Sequence, residues 1–213
     1  MAYFDTDKLT LHGYFQVYAR IAGELGPDVR VLELGVKDGE SLRMFQSLFP
    51  LGEVTGVDCD HEATWPEGTV RVVTGQDDPG LPALAGGGPF GLVVDDASHD
   101  GELTRKSFDL LWPLVRPGGY YVVEDWTVAL RDDPQWGRSW GPGMLRAAES
   151  FLPMLAWRDG ECDFITYRYG MIILHKNEAP AAPDGERAER NLFSGGRVRI
   201  ACRFGRHARR RIA

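Results

Sequence analysis

The chain has 213 residues, 43% of them apolar and 26% charged, with a formal net charge of −7. That length suits one large α/β domain and leaves little room for a second catalytic domain, while the acidic total argues against a nucleic-acid-coating surface on the body. Cys59, Cys162 and Cys202 are odd in number, scattered and without a CxxC pair, which argues against both a disulfide framework and a zinc site.

In chain order, Leu9 to Ala22 reads as a helix and Val29-Arg30-Val31-Leu32-Glu33-Leu34 as a strand. A turn at Gly35-Val36-Lys37-Asp38-Gly39 leads into a helix from Glu40 to Phe49, which buries Leu42, Phe45 and Leu48 at helical spacing. Glu53 to Asp58 is the second strand and Val70 to Val73 the third. A short helix follows over Pro79 to Ala85, and Gly86-Gly87-Gly88-Pro89 turns the chain into the strand Phe90 to Asp95. Ser107, Phe108, Leu110, Leu111 and Leu114 suit a helix that Pro117-Gly118-Gly119 ends before the strand Tyr120-Tyr121-Val122-Val123. Asp132 to Gly143, rich in Trp, Pro and Gly, is expected as a loop overhanging the strand ends, with a helix near Met144 to Met154 behind it. Phe164 to Tyr167 and Met171 to Leu174 read as an antiparallel hairpin turned at Arg168-Tyr169-Gly170.

Strands alternating with helices predict an α/β, Rossmann-like, doubly wound and mostly parallel seven-stranded sheet, because parallel neighbours need crossover connections and both faces then need cover. The domain is expected over residues 1–177, with an N-terminal helical cap, and residues 178–213 as a polar linker and arginine-rich tail. Gly196 to Ala213 holds seven arginines and no acid; it either remains solvated, packs back on the acidic body, or holds RNA or acidic lipid. Met1-Ala2-Tyr3-Phe4-Asp5 has neither a basic nor an apolar leader region, and no apolar run approaches the roughly 18 residues of a membrane span. A cytoplasmic location away from membranes is expected.

Two strand ends carry the chemistry. Phe90 to Asp95 runs straight into Asp96-Ala97-Ser98-His99, and the strand at Tyr120 ends in Glu124-Asp125. Open α/β sheets bind ligands at such strand mouths. Asp96, Glu124 and Asp125 together suit a hard divalent cation held through oxygen, magnesium first, with His99 beside it as proton acceptor.

The first turn identifies the other ligand. A dinucleotide fold calls for G-x-G-x-x-G, whereas Glu33-Leu34-Gly35-Val36-Lys37-Asp38-Gly39 puts an acid before the first glycine, which disfavours a pyrophosphate. It suits S-adenosylmethionine, whose ammonium and sulfonium are cationic, with Gly35 and Gly39 letting backbone approach the ligand. Glu33, Ser41 and Asp95 are grouped with this cofactor site. Asp58 is placed for the ribose hydroxyls, and Asp77, or its neighbours Gln76 and Asp78, for the adenine edge.

Plainer roles exist for the same residues. Asp95, Asp96 and Ser98 suit a helix cap, Glu124 and Asp125 a turn, and His99 an ordinary surface position. Tyr14 and Tyr18, at helical spacing, either pack or close over substrate. Trp126, Trp136 and Trp140 either line an acceptor pocket or anchor a long connection.

Several runs carry a resemblance: Phe4-Asp5-Thr6-Asp7-Lys8, His12-Gly13-Tyr14, Leu32-Glu33-Leu34-Gly35-Val36, Gly39-Glu40-Ser41-Leu42-Arg43-Met44, Asp95-Asp96-Ala97-Ser98-His99 and Pro117-Gly118-Gly119-Tyr120. Over residues 4 to 125 the chain resembles the class I, metal-dependent O-methyltransferases that act on sugars of macrolides and related antibiotics. The resemblance implies magnesium at Asp96, Glu124 and Asp125, and His99 as base for a sugar hydroxyl. The layout is also similar to catechol O-methyltransferases, which use a lysine where His99 stands. Trp126-Thr127-Val128-Ala129 departs from the family's Thr-Ser-Tyr-containing stretch, and Gln76-Asp77-Asp78 alters a Gly-Asp-Gln-Ser-Asp type motif. The expected partner is a small molecule, a glycosylated natural product or another diol or catechol, with a homo-oligomer left open. The rival reading from another class is a non-catalytic nucleic-acid-binding module using the basic tail.

Overall fold

Five strands run parallel, joined in chain order by four crossover connections. They are β1 (Val31–Leu34), β2 (Val54–Asp58), β3 (Val70–Val73), β4 (Phe90–Asp95) and β5 (Val115–Glu124). Two more, β6 (Cys162–Arg168) and β7 (Met171–Lys176), form an antiparallel hairpin, with β7 inserted between β5 and β6. The resulting seven-stranded sheet has the order β3-β2-β1-β4-β5-β7-β6. This is a computed structural model, and it describes residues 6–10, 12–130, 137–155 and 161–178. These fall within one compact unit, Met1–Ala182, and apart from Glu178 the expected linker and tail lie outside the described residues.

Strand order reverses between β1 and β4, and the registers Leu34↔Asp95 and Asp95↔Val123 bring the ends of β1, β4 and β5 to one rim. A rim at a switch point is where an open sheet leaves a ligand crevice. One side of the sheet, with Val93, Tyr121 and Val123, packs on α5 (Gly101–Leu111) and α6 (Gly137–Ser150). The opposite side, with Leu92, Val94 and Val122, packs on α2 (Phe15–Leu25) and α3 (Glu40–Leu48). Two short helices, α1 (Asp7–Thr10) and α4 (Leu81–Leu84), complete the set.

Three expectations need correction. The helix over Leu9 to Ala22 is two helices, α1 and α2, broken around Gly13, whose φ of 67° is left-handed. The expected loop over Asp132 to Gly143 is helical from Gly137 onward. Packing overrides the Gly/Pro composition there: a Cβ on Gly101 would run into the Gly143 backbone, and Met144, Ala147 and Ala148 are buried. That helix stops at Ser150 instead of reaching Met154, and Leu152–Leu155 forms a 3₁₀ turn. Among the described residues no helix is long and apolar enough to cross a membrane.

Candidate active site

Side chains alternate along β4, so its last residue and the next part company. Asp95 turns into the core, where its carboxylate accepts from Ser107 and, at 3.4 Å, from the Tyr121 hydroxyl. Burial pushes its carboxyl up to about 6. Asp96 instead meets His99 and Asp125, and one ligand atom from each lies within 4.8 Å of the others. His99 and Asp125 both hold left-handed backbone conformations, φ 53° and 52°. For residues other than glycine that costs about 1–2 kcal/mol each, strain of the kind that clusters at functional sites. Asp96 caps nothing: α5 is capped by Asp100, whose Oδ1 accepts from the Glu102 and Leu103 N–H groups at 2.9 and 3.0 Å.

The N-terminal segment closes the inner side of this cluster. Lys8, 1% exposed, places Nζ 2.5 Å from Asp96 Oδ2, 2.8 Å from Glu124 Oε2 and 3.6 Å from Glu33 Oε1. Tyr18 donates to Glu124 Oε1, and Tyr14 donates to Asp125 Oδ1 at 2.7 Å. Both oxygens of Glu124 are thus engaged, Oε2 sharing the Lys8 ammonium with Asp96 and Oε1 taken by Tyr18. Burial raises the Glu124 carboxyl, the Asp96 charge adds to this, and Lys8 opposes it. For Lys8, burial alone would lower the pKa, but Asp96, Glu124 and Glu33 outweigh it and hold the ammonium charged. Tyr14 and Tyr18 therefore do more than pack.

A cavity of about 170 Å³ lies along the ends of β1 to β4, lined by Gly35, Asp58, Thr74, Gln76 and Ser98 among others. Gly35 is required here: its φ is 87°, and a Cβ would stand 2.8 Å from the Asp96 carbonyl carbon and 2.9 Å from Ala97 Cα. Asp58 pins the turn to β2, its Oδ2 accepting from the Val36 and Lys37 N–H groups at 2.7 and 3.1 Å. Gln76 Oε1 accepts from the Ser98 N–H at 3.2 Å, leaving Nε2 buried without a hydrogen-bond partner in the cavity wall. A buried donor left unpaired calls for an acceptor from a ligand.

The remaining residues assigned to the cofactor do not line this cavity. Glu33 is fully buried, accepts from the Ser41 hydroxyl at 2.6 Å through Oε2, and keeps Oε1 without a hydrogen-bond partner; burial pushes its carboxyl up to about 7. Gly39, at φ 77°, starts α3. Asp77 is exposed and sits 3.4 Å from Lys106, so it is Gln76 of that trio that faces the cavity. Trp126 acts as an anchor, donating from Nε1 to the Arg168 carbonyl at 2.8 Å and meeting Tyr167 edge-on. Trp136 lies outside the described residues, as does the side chain of Trp140. Lys8 has no role in the sequence reading beyond the motif that contains it, and no local spacing marks it.

The donor set fits the two ligands that the sequence suggests. Carboxylate oxygens in excess of the Lys8 ammonium, the one buried lysine among the described residues, suit a hard divalent cation, and the cavity beside Gly35 with its unpaired amide suits a nucleoside.

Residues 32–126 match the family described as a methyltransferase domain. The chain is 42% identical over 130 residues to the demethylmacrocin O-methyltransferase of Streptomyces fradiae, covering 55% of this chain and 33% of that protein. It is 43% identical over 110 residues to the mycinamicin VI 2''-O-methyltransferase of Micromonospora griseorubida, covering 46% of this chain and 28% of that protein. The chain thus spans about a third of the length of these curated relatives. Among solved structures it is similar to the MycE methyltransferase of the mycinamycin pathway in complex with Mg, SAH and mycinamycin VI. The TM-score is 0.64 and the identity 29%, over 78% of this chain and 49% of that one.

Proposed function

We infer that this chain, with a methyltransferase domain over residues 32–126, is an O-methyltransferase. It moves a methyl group from S-adenosylmethionine to a hydroxyl of a small molecule, a sugar of a natural product, with the help of magnesium. One observation carries this reading: the ligand atoms of Asp96, His99 and Asp125 gather within 4.8 Å, and Ser98, beside them in the chain, lines the glycine-walled cavity. The relatives' names supply the substrate class: demethylmacrocin and mycinamicin VI are named as acceptors, and further relatives are named for rhamnosyl-tetracenomycin and olivosyl-oleandolide acceptors.

In this reading Asp58 and Gln76 hold the nucleoside end of the cofactor, and Glu33, whose Oε1 has the Lys8 ammonium at 3.6 Å and no hydrogen-bond partner, meets the ammonium of the amino-acid end. Asp95 supports the rim from below through Ser107. Asp96 and Asp125 hold the ion, with Glu124 as the third acid. Magnesium supplies Lewis acidity that lowers the pKa of an acceptor hydroxyl and fixes its aim. His99 takes the hydroxyl proton. S-adenosylmethionine would supply the methyl group to the acceptor oxygen, with S-adenosylhomocysteine as the other product.

Methyl transfer is measured from S-adenosylmethionine to a panel of diol-bearing sugars and catechols, with and without exhaustive chelation. Sugar methylation that stops on chelation supports the reading. Metal-independent turnover removes the ion's role, and transfer confined to catechols moves the substrate class.

A further inference from the structure

Lys8 is the one ammonium among the described residues that lies inside the acidic cluster. Its Nζ stands between Asp96 Oδ2 at 2.5 Å and Glu124 Oε2 at 2.8 Å, the position a cation bridging those two carboxylates would take. Glu124 has no spare oxygen, because Tyr18 takes Oε1. Glu124 and Lys8 are 2% and 1% exposed, whereas Asp96 is 22% exposed and within reach of solvent. Four carboxylates, Glu33, Asp96, Glu124 and Asp125, converge on this rim and its inner side, with one lysine against them.

We propose that Lys8 is a resident cation that competes with the metal ion for Glu124 and Asp96, so that ion binding and the Lys8–Glu124 ion pair exclude one another. Lys8 is then a positioning residue. It keeps the cluster neutral enough to fold without an ion, and it ties α1 across the ends of β4 and β5. When the ion takes Glu124, the ammonium gives up its partner and α1 loosens. Lys8 thereby sets both the affinity of the site and the order in which α1 and the ion occupy it. The inference rests on the metal-assisted reading above.

The test is calorimetric titration of Mg²⁺ into the 213-residue chain and into its Lys8→Met variant. Removing a like charge next to the ion's ligands is expected to tighten Mg²⁺ binding by about tenfold or more. A lysine with only a structural role leaves the variant binding Mg²⁺ equally or more weakly, and that result overturns the proposal while sparing the metal-assisted reading. Absence of Mg²⁺ binding to both proteins overturns the two together. Lys8→Gln serves if the methionine variant does not fold. If neither variant folds, hydrogen exchange of residues 6–10 in the unaltered chain decides. Faster exchange at saturating Mg²⁺ supports the competition, and unchanged exchange overturns it.

Discussion

Tyr14 donates its hydroxyl to Asp125 at 2.7 Å from 111 residues away in the chain. The bond fixes a carboxylate whose backbone is already left-handed, at φ 52°. A hydrogen bond to a charged acceptor contributes about 1.5–3 kcal/mol. Tyr14→Phe keeps the ring and removes the bond. It is expected to lower stability in chemical denaturation by about 1–2 kcal/mol and to weaken Mg²⁺ binding severalfold, with S-adenosylhomocysteine binding unchanged.

The same tyrosine depends on a glycine in the β6–β7 turn. A Cβ on Gly170 would overlap the Tyr14 hydroxyl and stand 2.9 Å from Tyr14 Cε1, and the residue is at φ 73°. Gly170→Ala therefore adds left-handed strain to a collision, and a loss of about 2 kcal/mol or more is expected. Thermal unfolding and Mg²⁺ calorimetry read it, and the variant should reproduce the weakened ion binding of Tyr14→Phe without touching the hydroxyl itself.

His99 is held beside Asp96 and Asp125 and is not among the residues lining the cavity at Gly35, Asp58 and Gln76. His99→Ala is expected to keep S-adenosylhomocysteine affinity in calorimetry while methyl transfer falls about 10²- to 10⁴-fold, the usual contribution of a positioned base. Turnover within a few-fold of the unaltered chain would remove that role from His99.

Most of the parallel core is legible in the sequence because its central strands are short, mostly aliphatic runs ended by a glycine or an acid, as in Val31 to Leu34 before Gly35 and Leu92 to Val94 before Asp95. The rim acids are legible for the same reason. What pattern reading cannot supply is which way each acid turns. Asp95 and Asp96 read alike, yet strand alternation sends the first to Ser107 and leaves the second facing His99 and Asp125. Lys8 is invisible to local spacing, since its partners Asp96 and Glu124 lie 88 and 116 residues on. The start of α6 is hidden by Gly137, Gly141, Pro142 and Gly143, residues that break helices unless tertiary packing holds them.

Glu33 makes the protein's stability depend on pH in a direction opposite to that of an ordinary paired acid. Burial raises its carboxyl from 4.5 to about 7, despite the opposing pull of Lys8 and the Ser41 hydroxyl. Between those values the folded chain holds a proton on Glu33 that the unfolded chain has released, so folding is favoured by acid there. That contribution is fully present below pH 4.5 and is lost as pH rises through about 7. Urea unfolding of chelator-treated protein across this window is expected to show stability falling with pH. Glu33→Gln, which keeps a polar group facing Ser41 but cannot ionise, should flatten part of that slope. A slope identical in the two proteins would mean that Glu33 is ionised throughout, with Lys8 compensating it in full. The same substitution bears on the cofactor: if Glu33 meets the ammonium end of S-adenosylmethionine, the flattened slope should come with weaker binding of S-adenosylhomocysteine at pH 8, where the native carboxylate is charged.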